Sequence, residues 1–350
     1  MTEPDQRHVA PTAGFRQSEA EVAHSALAEL HVHLEGTAPP ALIQRLADRN
    51  GLKVPDGVFA GPDRFRWVDF LDFLRTYDLA ASVIRTAEDY RDITYEYLVT
   101  CARQGAIYVE LIASPDHAAS VGLSDADHYA GIAAGIDDAR AATGIEARIL
   151  VTAIRNFGVQ AAIDVARGEH HPYVVGFNLA GDEAGYPASL FAEAYAIASD
   201  RGLGCTCHAG EHAGAESVRE ALALPGISRL SHGVRAVEDP GLVEAIAERG
   251  VVLEVCPTSN VATGVFAGYA EHPLRTLYEA GVKVTLGSDD PPYFGATIGG
   301  EYAVARERFG FEEGELMTIT RTAVQASFAD DAVKRSLLNR ITASRDRDTH

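Results

Sequence analysis

Lysine is close to missing from this 350-residue chain: Lys53, Lys283 and Lys334 are the only three, and Asp plus Glu outnumber Lys plus Arg by 50 to 30. The resulting formal charge of −20 leaves no basic surplus to neutralise phosphates, which excludes nucleic acid and an anionic membrane surface as partners. No apolar run approaches the roughly 20 residues that a membrane-spanning helix needs. The first residues, Met1-Thr-Glu-Pro-Asp-Gln-Arg7, lack the charged-then-apolar layout of a secretion signal. Cys101, Cys205, Cys207 and Cys256 show no C-x-x-C spacing and are too few to staple a chain this long. A reduced, cytoplasmic, soluble protein is expected, of ordinary globular composition at 47% hydrophobic and 23% charged.

What is present starts with Leu27-Ala-Glu-Leu-His31-Val-His33-Leu-Glu35-Gly36. If the apolar run is a strand, its period of two sends His31 and His33 to one face, half of a metal site. Alone, a His-x-His pair is a weak signal. Three more polar clusters, Cys207-His208-Ala-Gly-Glu211, Ser231-His232-Gly233 and Gly287-Ser288-Asp289-Asp290-Pro291, each end another strand-like run.

Residues 1–26 read as a loosely attached arm, 27–345 as one domain and 346–350 as a frayed tail. Strands are predicted at 27–33, 106–113, 146–152, 173–180, 203–208, 229–232, 251–256 and 283–288, with helices between them. Several runs are Val/Ile/Leu-rich without alternation, as buried parallel strands are. No G-x-G-x-x-G follows a strand, and the polar clusters end four different strands rather than meeting at one switch point. The fold class expected is therefore α/β, a (β/α)₈ TIM barrel with a long helical insertion, about 36–105, after strand 1. Within that insertion Phe65, Trp67, Phe70, Phe73 and Tyr77 fall at helical spacing. They suit a helix packed on the barrel, or an aromatic lid that excludes water from a ligand.

Barrel active sites lie at the C-terminal ends of the strands. His31 and His33 end strand 1, His208 ends strand 5 and Asp289 ends strand 8, which neighbours strand 1 in a closed barrel. Three imidazoles and a carboxylate suit Zn²⁺, and by donor type also Fe²⁺ or Mn²⁺. No lysine ends strand 4, where a carbamylated lysine could bridge two metals, so one metal is expected. Glu211 is placed to shuttle a proton, His232 to hold or deprotonate an attacking water, and Asp290 to hydrogen-bond a ring nitrogen. His117, His128, His170, His171, His212 and His272 show no partner pattern and are expected at the surface or in caps. Cys205 and Cys207 are expected in barrel packing.

In order, Glu29–Gly36, Asn178-Leu-Ala-Gly-Asp-Glu183, His208–Glu211, Ser231-His-Gly-Val-Arg235, Glu254-Val-Cys-Pro-Thr-Ser-Asn260 and Gly287–Pro291 resemble the motif set of the adenosine/adenine deaminase family, metal-dependent barrels of the amidohydrolase superfamily. The H-x-E…P-C-x-x-C signature of the smaller zinc base deaminases is absent. The resemblance implies one Zn²⁺ held by His31, His33, His208 and Asp289. It implies that Glu211 protonates purine N1 and that His232 orients and helps deprotonate the attacking water. It further implies that Asp290 meets N7, the backbone of Gly181 meets N3, and Phe70 and Phe73 line the substrate site.

Glu35 departs from typical adenosine deaminases, where Asp at that position contacts the ribose 5′-hydroxyl. Glutamate there resembles the adenine deaminase branch, whereas Leu179–Glu183 resembles the nucleoside branch. On the latter, adenosine and deoxyadenosine are the expected substrates, with Glu35 on the sugar. Adenine, or another 6-aminopurine such as aminodeoxyfutalosine, is the alternative. A barrel that kept the fold but lost catalysis would lack a ligand or the proton shuttle, and none is missing. A hydrolase for cyclic amides or phosphoesters would not need the purine-reading residues Gly181 and Asp290.

Overall fold

The computed structural model describes residues 26–348. The arm expected over 1–26 lies outside the described residues apart from Ala26, and the last helix, Asp331–Asp348, runs into the segment expected as a tail. No helix among the described residues is long and apolar enough to cross a membrane.

Leu27–His33 (β1) lies parallel to Ala106–Ala113 (β2), and every β1 residue but His33 is buried. Glu146–Ile154 (β3) and Val174–Ala180 (β4) extend the sheet in parallel. The fifth strand (β5) is broken: Gly204–Cys205 pairs with β4, and His208–Ala209 pairs with Arg229–His232 (β6). Val252–Val255 (β7) and Lys283–Leu286 (β8) follow. Past the end of β8, Val32 and Asp289 form a parallel bridge. There the His33 N–H donates to the Asp289 carbonyl at 2.9 Å, and the Asp289 N–H to the His31 carbonyl at 3.2 Å. A Cβ on Gly287 would stand 2.6 Å from the His31 carbonyl oxygen, so only glycine lets this seam close. Eight parallel strands thus make the expected barrel.

The insertion holds Pro40–Arg49 (α1), Phe70–Ala81 (α2) and Ala87–Arg103 (α3). Thr86 and Asp89 form a reciprocal capping box that starts α3. Helix α3 packs against Asp125–Thr143, where a Cβ on Gly131 would stand 2.3 Å from the Ala87 carbonyl oxygen. Two details escape sequence patterning. The Gly/Pro-rich stretch before Asp63 contains a small hairpin, Phe59–Gly61 against Arg64–Phe65, and the register of β1 shifts between Glu29 and Val32. All four cysteines are unpaired and buried.

The barrel interior is not purely apolar. Arg229, on β6, is 1% exposed and lies 2.7 Å from a Glu110 carboxylate oxygen and 2.6 Å from one of Glu254, over the ring of Phe328. Removing one member of such a buried set leaves the others as uncompensated charges. Arg229→Met should therefore lower stability by about 3–5 kcal/mol, read as a fall in the urea midpoint. An unchanged midpoint would show that the two carboxylates do not depend on it.

Candidate active site

Four side chains converge where β1, β5 and β8 end. Nε2 of His33 is 3.1 Å from Nε2 of His208, and Oδ1 of Asp289 is 3.4 Å from His31 Nε2 and 3.3 Å from His33 Nε2. One donor atom from each of the four lies within 4.8 Å of every other. Such crowding of nitrogen lone pairs has no internal resolution, and His31 Nε2 is buried without a hydrogen-bond partner. A divalent cation at the centre resolves both. The other ring nitrogens are already committed: Nδ1 of His31 lies 3.3 Å from the Glu254 carbonyl, and Nδ1 of His208 lies 3.1 Å from Asn178 Oδ1. Such partners fix the tautomer that turns a bare Nε2 inward. Ser259 Oγ donates to Asp289 Oδ2 at 2.6 Å, which leaves Oδ1 for the centre.

For His208 and Asp289 the electrostatics agree with that donor set, whereas at His31 burial is outweighed by Asp289, Glu254 and Glu211, which raise its pKa. Burial, then the neighbouring imidazoles of His31 and His33, holds His208 well below its ordinary pKa and therefore neutral. Burial pushes Asp289 up, but His31, His33 and His232 outweigh it and keep the carboxyl well below the usual range. Cys256 also lies near His232 and Asp289, yet burial and the surrounding carboxylates raise its thiol far above the ordinary value, so it offers no thiolate.

Around this cluster, Glu211 lies with Oε2 3.6 Å from His232 Nε2 and Oε1 3.5 Å from His212 Nε2. The loop that carries Glu211 is held by Glu183. That buried carboxylate accepts the N–H groups of Gly210, Glu211, His212 and Ala213, and the hydroxyl of Ser217. Glu183 was visible in sequence only as a motif member, because its partners lie about thirty residues away. Asp290 is 3% exposed with Oδ1 unpartnered, and burial, followed by Asp289, Glu211 and Glu35, drives its pKa well up toward the protonated, donating form. His232 (φ 64°) and Asp289 (φ 62°) are the only non-glycine residues with positive φ among the described residues. Strain of this kind collects at functional sites.

A cleft opens over the cluster, walled by Phe70, Phe73, Leu74 and Tyr77 on one side and Ile154, Asn156 and Gly181 on the other. The aromatic run divides between core and cleft: Phe73 packs beside Tyr293, while Phe70 lines the cleft with its ring 3.7 Å from that of His212. Gly181 takes φ 101°, and a Cβ there would stand 2.6 Å from Asn156 Oδ1.

Two expectations are corrected. Glu35 does not line the cleft. Its carboxylate, 3% exposed, accepts Tyr77 Oη at 3.2 Å, Tyr90 Oη at 3.4 Å and the Ser114 N–H at 3.2 Å, so it sits behind Tyr77 and not on the cleft surface. Nor are His117, His128 and His272 surface or capping residues. All three are buried, beside Asp78, Glu35 and Asn260 respectively.

The family model described as adenosine deaminase matches residues 26–344, nearly the whole described chain. The chain belongs to the adenosine deaminase family. It is similar to an adenine deaminase of Sinorhizobium medicae, 47% identical over 319 residues, spanning 90% of this chain and 98% of that one. Among solved structures it resembles an adenine deaminase from Arthrobacter aurescens, with a TM-score of 0.83 and 31% identity over 91% of this chain and 98% of that one. It also resembles an amidohydrolase from Burkholderia ambifaria solved with zinc bound, with a TM-score of 0.82 and 25% identity over 95% of this chain and 96% of that one. This deaminase accordingly belongs with the metal-dependent hydrolases of the amidohydrolase superfamily.

Removing one member of the four-residue cluster should empty it. His31→Ala and Asp289→Ala are expected to lose bound metal together with activity, since an incomplete shell binds weakly. Elemental analysis of the purified variants decides the matter, and full metal occupancy in both would refute the ligand set.

Proposed function

We propose that this deaminase acts on free adenine, releasing hypoxanthine and ammonia, with one zinc held by His31, His33, His208 and Asp289. Three imidazoles and a carboxylate suit that ion. When bound, the metal lowers the pKa of water enough to supply a nucleophile near neutral pH. The chain's own groups do the rest. Glu211 delivers a proton to ring N1, which makes C6 electrophilic. His232 orients the attacking water, protonated Asp290 donates to N7, and the Gly181 backbone meets N3. Water adds at C6 and ammonia leaves. Unpaired cysteines suit a reducing, cytoplasmic setting.

The observation that carries the choice of base over nucleoside is Glu35. A buried carboxylate that is held behind Tyr77 by two tyrosine hydroxyls and a backbone N–H, and that does not line the cleft, is poorly placed to meet a ribose hydroxyl. The Sinorhizobium and Arthrobacter relatives, named adenine deaminases, support the same reading.

Steady-state rates decide it. Wild-type kcat/KM is expected to be about 100-fold or more higher for adenine than for adenosine or deoxyadenosine, because unmatched polar groups in a built site discriminate strongly. A preference for adenosine overturns the proposal. Glu211→Gln should retain zinc and lose about 10²–10⁴-fold in turnover. Near-normal turnover with full metal would remove Glu211 from its assigned role.

A further inference from the structure

Leu274 opens the helix Leu274–Glu279, and its backbone N–H donates to Nδ1 of His272 at 3.2 Å. A backbone amide only donates, so His272 Nδ1 carries a lone pair. Burial, then the neighbouring imidazole of His232, pushes the pKa of His272 down to about 3, so the ring is neutral and its proton sits on Nε2. That Nε2–H meets Oδ1 of Asn260 at 3.1 Å. The amide of Asn260 is thereby oriented, and its Nδ2 reaches Nδ1 of His232 at 3.2 Å. A donor at that position requires His232 Nδ1 to accept, which places the His232 proton on Nε2. This nitrogen faces the reacting centre, 3.6 Å from Glu211 Oε2 and 3.8 Å from Asp289 Oδ2. The ligand imidazoles are set the opposite way. His31 and His208 direct Nδ1 at the oxygen acceptors Glu254 O and Asn178 Oδ1, and so turn a bare Nε2 inward.

We propose that His272 and Asn260 form a positioning relay that locks His232 with its proton on Nε2, so that it meets the attacking water as a hydrogen-bond donor and not as its base. Two histidines at neighbouring strand ends thus present opposite faces to one centre: His208 offers a lone pair and His232 a proton. The water's O–H proton then passes to the neighbouring Glu211 carboxylate as the C6–O bond forms, the same carboxyl hands that proton to ring N1, and the proton of the new C6 hydroxyl leaves with the amino group as ammonia. His232 finishes the step in the protonation state in which it began. The relay acts only through His232, because neither His272 nor Asn260 lines the cleft.

The catalytic consequence rests on the deaminase chemistry proposed above, whereas the tautomer is read without substrate, so the two readings fail separately. The test uses zinc-loaded protein carrying ¹⁵N-histidine. Long-range ¹H–¹⁵N correlation shows which nitrogen of each ring bears the proton, and His232 is identified by the signal lost in His232→Asn. The expected wild-type spectrum has His232 protonated at Nε2 and bare at Nδ1, and the reverse overturns the relay without any further variant.

His272→Gln keeps an N–H donor near the Nε2 position and should preserve the tautomer. His272→Leu frees the Asn260 amide and should give a mixture of both tautomers. Asn260→Asp, which can only accept, should move the proton to Nδ1. In the last variant kcat is expected to fall on the order of 100-fold with KM changed less than about threefold, the pattern of a wrongly set imidazole in a site that still binds substrate. A proton that stays on Nε2 in Asn260→Asp overturns the relay. So does an equal loss of kcat in His272→Gln and His272→Leu, which would mark His272 as mere packing.

Discussion

Two backbone hydrogen bonds, His33 N–H to the Asp289 carbonyl and Asp289 N–H to the His31 carbonyl, close the barrel and at the same time set three of the four metal-binding candidates side by side. Fold closure and site assembly are therefore one event. The chain can place Asp289 against His31 and His33 only by bringing the last strand back to the first, and Gly287 removes the one side-chain atom that would hold them apart. Part of the rim is hung on that seam. Asp290 follows as the next residue, and the short helix Pro291–Phe294 brings Tyr293 and Phe294 against the aromatic wall that ends in Phe73.

Beneath the seam the interior is polar where an ordinary barrel core is apolar. Glu254 receives Ser231 Oγ at 2.8 Å and Thr206 Oγ1 at 3.2 Å, while its backbone carbonyl faces His31. Glu29 receives the Ser288 N–H at 2.7 Å and its hydroxyl at 2.6 Å. Buried groups of this kind carry a desolvation cost that is offset only when every partner is in place. The network fixes the imidazoles and the residues around Asp289 from below, where no solvent can substitute for a missing partner.

Much of this was legible in the sequence, for reasons that differ by element. The strands ending in His31–His33, His232 and Asp289 were readable because burial on both faces leaves an apolar run, and a polar cluster marks where it stops. The fifth strand reads as continuous in sequence because its break reflects a change of neighbour, β4 to β6, that no local pattern encodes. Glu35 has one methylene more than the family's aspartate, and the partners of its carboxylate, Tyr77, Tyr90 and the Ser114 N–H, lie far apart in the chain. His272 looked solitary for the same reason: its meaning lies in the amide of Asn260 and the turn before Leu274. Side chains whose partners are distant leave little trace in spacing.

The left-handed backbone at His232 and Asp289 has a consequence for how this protein can be improved. A non-glycine residue held at positive φ costs on the order of 1–3 kcal/mol. Glycine would relieve that cost at both positions and remove an imidazole or a carboxylate from the centre of the cleft. Selection for thermal endurance alone would thus draw the chain toward a sturdier, silent barrel. The strain held at these two residues therefore sets stability against the imidazole and the carboxylate that they bring to the cleft.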